Sequence, residues 1–150
     1  MPAPPEIGHV ARTQAVVDRL GLLLVKLGEE VLARAEPRLA EQAKLTGRQY
    51  LALVVLEREE PPSQQVLATL MDMAPAQTVP LIDELEALGH VERSRDPADR
   101  RRTRVTVTAR GRKALASGDE VAAAVEREVF GTHAAGVLHA LQRGLGATTR

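Results

Sequence analysis

Cysteine and tryptophan are absent from this sequence, and Tyr50 and Phe130 are its only aromatic residues other than histidine. A chain without cysteine forms no disulfide and offers no thiol for nucleophilic or redox chemistry. Two aromatic rings give unpaired bases little to stack on, which argues against recognition of single-stranded nucleic acid. The composition therefore excludes thiol enzymes, cysteine redox sensors and base-stacking modules.

Long apolar runs are also missing. The segment from Leu20 to Leu27 is short and Lys26 interrupts it, so it has neither the length of a membrane span nor the form of a signal peptide. We therefore expect a cytoplasmic protein with no membrane partner.

No catalytic motif is present. The sequence has no G-x-S-x-G elbow and no glycine-rich phosphate loop. His9, His90, His133 and His139 are scattered, without the spacing of a helical metal pair. We expect no enzyme activity, no metal site and no cofactor.

Charge is balanced overall but unevenly distributed. No Lys or Arg lies between Arg58 and Arg93, a stretch rich in Asp and Glu. The following segment to Lys113 is basic, and six arginines fall between Arg93 and Arg104. Such a cluster is either a solvated surface or a nucleic-acid contact. Because guanidinium groups match phosphate and base-edge geometry, we favour the contact.

The basic segment has the pattern of a β-hairpin. A short strand ends near Arg95, a turn follows at DPAD, and Thr103 to Thr108 form a second strand. Val105 and Val107 alternate with polar residues, which predicts one apolar face and one face that carries arginines.

Helical patterns surround the hairpin. An apolar seam predicts a long first helix from about Gly8 to Ala35, bent or ended by Pro37. After Gly111 we expect a helix to about Phe130, interrupted at Gly118, and then a final helix capped by Thr132. The terminal helices carry more apolar surface than one domain can cover, which predicts a second subunit.

The central segments predict a helix-turn-helix. Thr46 and Gln49 form a capping box, and Ser63 caps a short helix from Gln64 to Leu70, whose Val66, Leu67 and Leu70 should face inward. Pro75 opens a third helix to about Leu88, which Gly89 ends. Two short helices followed by a hairpin are typical of a winged helix-turn-helix.

The stretch LEALGHVERSRDPADRRRTRVTVTARG resembles the wing of the MarR family of winged helix-turn-helix regulators. That family's pattern falls, in order, on Leu85, Glu86, Gly89, Val91, Arg93, Asp99, Arg101, Thr108 and Gly111. The resemblance extends in register from about Val10 to Leu145 and so covers nearly the whole chain.

The resemblance implies a mainly α fold with a small β-hairpin wing (α+β) and terminal dimerisation helices. Residues 1–150 would form one subunit, with dimerisation helices over 8–36 and 109–147 and a DNA-binding lobe over 45–108. The function implied is that of a homodimeric, ligand-responsive repressor of a pseudo-palindromic double-stranded operator. The alternative is a winged-helix protein-interaction or ligand-sequestering module that binds DNA weakly.

The resemblance also suggests DNA-contacting residues. On the helix-turn-helix they are Ser63, Gln64, Ala76, Gln77, Thr78 and Pro80; on the wing they are Arg93, Arg95, Asp99, Arg100, Arg101, Arg102 and Arg104. Gln77 would read adenine, and Arg101 would enter the minor groove, oriented by Asp99. Arg93 and the other wing arginines would contact phosphates or pair with aspartates.

One feature departs from the family pattern. Pro80 stands where the family often has Arg or Lys, and it removes a backbone hydrogen bond within the helix. Asp83, Glu84 and Glu86 make the same helix acidic, although Asp83 and Glu86 are also common in the family. The proline and the acidic charge both support the alternative function.

Family members often bind small aromatic or anionic effectors between the dimer helices and the DNA-binding lobe. His9, Arg12, Arg48 and Tyr50 are candidates for such a pocket. The other interpretation of Tyr50 is that it belongs to the core.

Overall fold

The computed structural model describes residues 19–61 and 63–148 of the protein. In chain order the described elements are α1 (Leu20–Arg38), α2 (Gly47–Glu59), α3 (Gln64–Leu70), α4 (Pro75–Ala87), β1 (Val91–Arg95), β2 (Thr103–Val107), α5 (Ala109–Phe130) and α6 (Ala134–Thr148). A π-helical turn, Leu39–Ala43, follows α1, and a 3-10 turn, Gly131–His133, precedes α6. This order confirms the predicted mainly helical class with a hairpin wing.

The chain divides into two compact units. One comprises Glu36–Val121, and the other comprises Met1–Ala35 together with Ala122–Arg150. The boundaries fall within α1 and α5. The unit Glu36–Val121 is called the central lobe.

The core of the central lobe is aliphatic and draws on every helix of the helix-turn-helix. Its fully buried large side chains include Leu53 of α2, Leu67 of α3, and Ile82 and Leu85 of α4. Burial of each such side chain contributes roughly 1.5–3 kcal/mol before conformational entropy is subtracted. The core therefore fixes α4 against α2 and α3.

Both predicted helix caps of the lobe are confirmed. The Thr46 hydroxyl accepts the Gln49 N–H at 3.2 Å, while the Gln49 side chain accepts the Thr46 N–H at 3.0 Å. The Ser63 hydroxyl accepts the Val66 N–H at 3.3 Å and so starts α3. Each cap satisfies N–H groups that a helix start leaves unpaired.

The packing of α3 differs from the sequence expectation. Leu67 is fully buried, but Val66 and Leu70 are exposed. A helix of 7 residues makes about two turns, so one narrow stripe of it reaches the core. Ala68 supplies the second buried position of that stripe.

The wing is a two-stranded antiparallel hairpin with Val91 opposite Val107 and Arg93 opposite Val105. Val91, Val105 and Val107 are buried. Residues opposite one another point to the same face of a sheet. Arg93 therefore lies on the apolar face, and the prediction of separate apolar and arginine faces is wrong at this position.

Pro37 lies inside α1, one residue before that helix ends at Arg38. The chain continues into the π-helical turn, which ends where Lys44 adopts the left-handed conformation at φ 56°. The end of α1 therefore agrees with the prediction that Pro37 bends or ends the first helix. The part of the predicted first helix before residue 19 lies outside the described residues.

Helix α5 runs without a break from Ala109 to Phe130, so the interruption expected at Gly118 is absent. Gly118 is buried, and a Cβ atom there would lie 2.5 Å from Cδ2 of Tyr50. The glycine is explained by this close approach of a ring to the helix backbone. Thr132 does not cap α6 either, because it lies within the 3-10 turn.

The second unit leaves apolar side chains in solvent. Leu20, Leu22, Val25 and Leu32 of α1 are more than half exposed. On α6, Leu138 and Leu145 are also more than half exposed. Within the unit Arg34 forms ion pairs with Glu30 at 2.7 Å and Glu128 at 3.5 Å. In the described part of the chain no helix is long and apolar enough to cross a membrane.

A compact junction links α4, the wing and α5. Gly89 ends α4 at φ +74°, and the His90 N–H donates to the Leu85 carbonyl at 2.8 Å. The Thr108 N–H donates to the His90 carbonyl at 2.9 Å, and the Thr108 hydroxyl to the Gly89 carbonyl at 2.6 Å. These bonds hold the start of the wing against its end.

Gly111→Ala tests this junction. A Cβ at Gly111 would collide with the backbone carbonyl of His90, which cannot move without breaking the bond from Thr108. We expect a loss of roughly 1–3 kcal/mol in the free energy of unfolding, the usual cost of overpacking. Gly136→Ala is the control, because a Cβ there meets nothing within 4 Å. Equal unfolding free energies for both variants in urea would contradict the junction's role.

His90 predicts a pH dependence of stability. Burial, followed by the charge of Arg110, lowers the pKa of His90 below its ordinary value of 6.5. The unfolded chain therefore binds a proton before the folded protein does. Stability should be constant above about pH 6.5 and should fall as the pH drops towards the lowered pKa.

Urea unfolding between pH 7.5 and 5 measures this effect. His90→Leu should flatten the pH dependence in this window, since it removes the titrating group. The same pH dependence in wild type and His90→Leu would show that the buried histidine is not its source.

Candidate nucleic-acid interface

The first two turns of α4 present an uncharged surface to solvent. Ala76, Gln77, Val79 and Pro80 are all exposed. At 100° per residue these positions share an arc of about 160° on one side of the helix. The Ala74 N-cap is extended and Pro75 occupies the first turn, so this side begins directly at the helix start.

Thr78 does not belong to this surface, and its predicted contact with DNA is wrong. It is only 1% exposed, and its hydroxyl donates to the Ala74 carbonyl at 3.2 Å. Thr78 precedes Leu81, Ile82 and Leu85 at the spacing of a buried helix seam. That spacing is visible in the sequence and would have placed Thr78 in the core.

The acidic side of α4 is partly neutralised from the wing, where one guanidinium pairs with two of its three carboxylates. Arg93 Nη2 lies 2.6 Å from Asp83 Oδ1, and Arg93 Nη1 lies 2.5 Å from Glu86 Oε2. The second Glu86 oxygen accepts the Arg93 N–H at 3.2 Å. Burial opposes protonation of Arg93, but its bonds to Asp83 and then Glu86 outweigh this and raise its pKa. We call these three residues the Arg93 clamp.

Glu84 also has a protein partner. The Gln49 side-chain amide donates to Glu84 Oε2 at 3.1 Å. Each carboxylate of α4 therefore accepts a hydrogen bond from α2 or from the wing.

The wing turn is held by two aspartates. Asp96 Oδ1 accepts the Ala98 N–H at 2.8 Å, and Asp99 Oδ1 accepts the Arg101 N–H at 3.0 Å. The other Asp99 oxygen pairs with Arg102 Nε at 3.4 Å. Asp99 thus fixes the backbone of Arg101 and the side chain of Arg102, and it leaves the Arg101 guanidinium in solvent.

Several wing cations remain available to a ligand. Four exposed arginines of the wing form no ion pair within the described part of the chain: Arg95, Arg100, Arg101 and Arg104. They lie at the tip of the hairpin and on the first half of β2. Arg93 differs from them because its charge is already used in the Arg93 clamp.

A further cation lies beside α4, at a position that was not predicted from the sequence. Arg48, in the first turn of α2, lines a cleft of about 150 Å³ with Gln77, Pro80 and Glu84. The exposed side of α4 therefore has a neighbouring positive charge, although the sequence has no Lys or Arg between Arg58 and Arg93. Only the packing of α2 on α4 reveals this neighbour.

The remaining residues predicted on the helix-turn-helix have different roles. Ser63 uses its hydroxyl to cap α3. Gln64 lines a second cleft, of about 260 Å³, with Gln65 and Val79. Gln65 and Val79 are exposed members of the surface that were not among the predicted site residues.

Of the predicted effector residues, Arg48 and Tyr50 lie in the described part of the chain and line no common cleft there. His9 and Arg12 lie outside the described residues. Tyr50 does not line the cleft that Arg48 lines; its hydroxyl donates to Asp119 at 2.7 Å and its ring contacts Gly118. Across the described ranges, no three His, Asp or Glu side chains form a set that could hold a metal ion.

Comparison with known proteins identifies relatives with the same helix-turn-helix and wing. A model of the MarR family matches residues 43–102. The HTH-type transcriptional regulator TtmR of Methylorubrum extorquens (strain PA1) is 38% identical over 79 residues. That match covers 53% of this chain but only 40% of TtmR, so the chain aligns with less than half of that protein.

Solved structures match over a longer range. CouR from Rhodococcus jostii RHA1, bound to p-coumaroyl-CoA, is 31% identical with a TM-score of 0.77, covering 91% of this chain and 95% of that one. CouR bound to a 23-mer DNA duplex is 26% identical with a TM-score of 0.75, and that match covers 91% of this chain and 96% of the CouR chain. A MarR family transcriptional regulator from Rhodococcus sp. RHA1 is 30% identical with a TM-score of 0.77, covering 91% of this chain and 97% of that one.

The helix-turn-helix, the wing held by its aspartates and the near full-length match at 30% identity or more lead to one assignment: this chain belongs to the MarR family of transcriptional regulators.

Proposed function

We propose that the protein is a homodimeric, ligand-responsive repressor that binds a pseudo-palindromic DNA duplex and acts by binding, not by catalysis. The observation that carries this proposal is the distribution of charge over the DNA-facing surface. The wing presents arginines that form no ion pair, while the carboxylates of α4 have partners within the protein. A regulator of this kind works where the chromosomal DNA is, in the cytoplasm.

The two parts of the surface would have different tasks. The exposed start of α4 would enter the major groove, as the second helix of a helix-turn-helix does. Arg101 would enter the adjacent minor groove, where a narrow A·T-rich segment concentrates negative potential. Arg95, Arg100, Arg102 and Arg104 would contact phosphates, and so would Arg48.

The Arg93 clamp bears directly on the alternative function. A weak DNA binder was suggested by the acidic α4 helix. Asp83 and Glu86 are both paired with Arg93, and neither lies in the first two turns of the helix. Their repulsion of phosphate is therefore reduced, which weakens this support for an interaction module.

The dimer would be formed by the second unit. The leucines exposed on both α1 and α6 would supply its apolar contacts. A second copy related by a two-fold axis would cover these leucines and would place two α4 helices on successive half-sites. The dimerisation helices expected over 8–36 and 109–147 remain part of this proposal.

Effector control is proposed by analogy with CouR, whose structure with p-coumaroyl-CoA shows that a family relative binds a small molecule. A small aromatic or anionic effector that prefers one spacing of the α4 helices would change DNA affinity by its differential binding. Arg48 is reassigned in this proposal from the effector pocket to DNA, because it lies beside Gln77.

Salt dependence and three arginine variants test the DNA-binding proposal. The logarithm of the binding constant should fall by about 0.9 per phosphate neutralised as log salt rises. Arg101→Ala should cost about 1–3 kcal/mol on a selected duplex. Arg48→Ala and Arg104→Ala should each weaken selected and scrambled duplexes alike and reduce the salt slope by about one.

Fluorescence anisotropy at several salt concentrations measures these quantities. Arg112→Ala is the matched control, since its guanidinium is held by the Val107 carbonyl at 3.0 Å and by Glu57 at 3.5 Å. It should leave the slope unchanged. If wild type prefers no selected duplex and Arg101→Ala has no effect, the regulator proposal fails.

A further inference from the structure

We propose that α4 reads A·T base pairs in the major groove, by apolar contact with thymine methyl groups and by glutamine contact with adenine. This inference rests on the proposed DNA-binding function and specifies which base pairs the protein would select. It concerns the side chains that would reach base edges, whereas the wing arginines supply affinity and minor-groove contact.

The apolar part of the reading surface is exposed. Val79 is 46% exposed although it is aliphatic and lies in the second turn of α4. Ala76 and Pro80 lie beside it, at three residues before and one residue after. In the major groove only thymine offers a methyl group, so apolar side chains there discriminate for A·T pairs.

Amide side chains lie on both sides of this apolar patch. Gln77 is exposed in the first turn and lines the cleft with Arg48. Gln64 and Gln65 line the cleft of about 260 Å³ that Val79 closes on the other side. A glutamine amide can donate to N7 and accept from N6 of adenine, which guanine and the pyrimidines do not match.

Readers of G·C pairs are missing from the same surface. Guanine is most often read by Arg or Lys, and the sequence has neither from residue 59 to residue 92. Cytosine is read by a free carboxylate, but Asp83 and Glu86 are paired with Arg93 and Glu84 accepts from Gln49. Arg48 belongs to α2, flanking α4, and is assigned to phosphate.

Thymine methyl groups can be removed one at a time. In a duplex selected in vitro with the full-length protein, each thymine of a half-site is replaced by deoxyuridine, which keeps the Watson–Crick edge. Removing a contacted methyl should weaken binding about fourfold, the effect of about one buried methylene. Val79→Ala should bind the thymine duplex more weakly and should abolish the penalty at the position that Val79 contacts.

Leu88→Ala is the matched control. Leu88 is 39% exposed but lies nine residues further along the chain at the other end of α4, about 14 Å away along the helix axis. This variant should retain the full deoxyuridine penalty. Circular dichroism verifies that both variants keep the wild-type fold.

The glutamine contact is tested by replacing adenine with 7-deazaadenine, which lacks the N7 acceptor. Wild type should lose affinity at one half-site position, and Gln77→Ala should be insensitive there. Gln77→Arg should change the selected base at that position from adenine to guanine, because an arginine fork matches guanine O6 and N7.

The outcomes separate this inference from the proposed function. Sequence-specific binding that is insensitive to deoxyuridine, or a selected half-site in which α4 positions prefer G·C, overturns the A·T inference and leaves the regulator proposal intact. Absence of any sequence preference overturns both. Loss of the deoxyuridine penalty in Leu88→Ala as well as Val79→Ala also overturns the inference, since the effect would not be local.

Discussion

The contact between Arg93 and the two carboxylates Asp83 and Glu86 is the interaction on which the DNA-facing surface depends. It joins the first wing strand to α4 at distances of 2.5 and 2.6 Å. Arg93 lies on the apolar face of the hairpin, opposite Val105, so its side chain is directed at α4. Partly exposed ion pairs contribute only about 0.2–1 kcal/mol each to stability, so the main effect of the clamp is on surface charge.

The clamp divides the surface into two kinds of contact. Because the carboxylates of α4 are engaged, the first turns of that helix meet DNA as an apolar and amide surface with Arg48 at its edge. Cationic attraction comes mainly from the wing turn, where Asp99 holds the Arg101 backbone and leaves its guanidinium in solvent. Affinity and base selection are thus assigned to different elements. The net charge of the chain is zero and therefore does not indicate this uneven distribution of charge.

Local sequence signals predicted the elements well, and tertiary contacts account for most errors. The caps at Thr46 and Ser63 and the stop at Gly89 follow from backbone chemistry within a few residues. Gly118 was misjudged because the ring that packs on it belongs to Tyr50, distant in sequence. The position of Arg48 beside Gln77 was not predicted, because this proximity exists only after α2 packs on α4. Thr78 is the exception, since its spacing from Leu81, Ile82 and Leu85 already indicated burial.

A double-variant cycle on the Arg93 clamp tests the central claim most directly. Arg93→Met is compared with wild type, and again in a background carrying Asp83→Asn and Glu86→Gln, which keep the size and one acceptor oxygen of each group but remove the charges. DNA affinity is measured at low salt by anisotropy. If Arg93 neutralises α4, its loss should weaken binding on the order of tenfold, about 1.4 kcal/mol, in wild type and hardly at all in the neutral background. An equal loss in both backgrounds would show that Arg93 acts on DNA directly and would contradict the account.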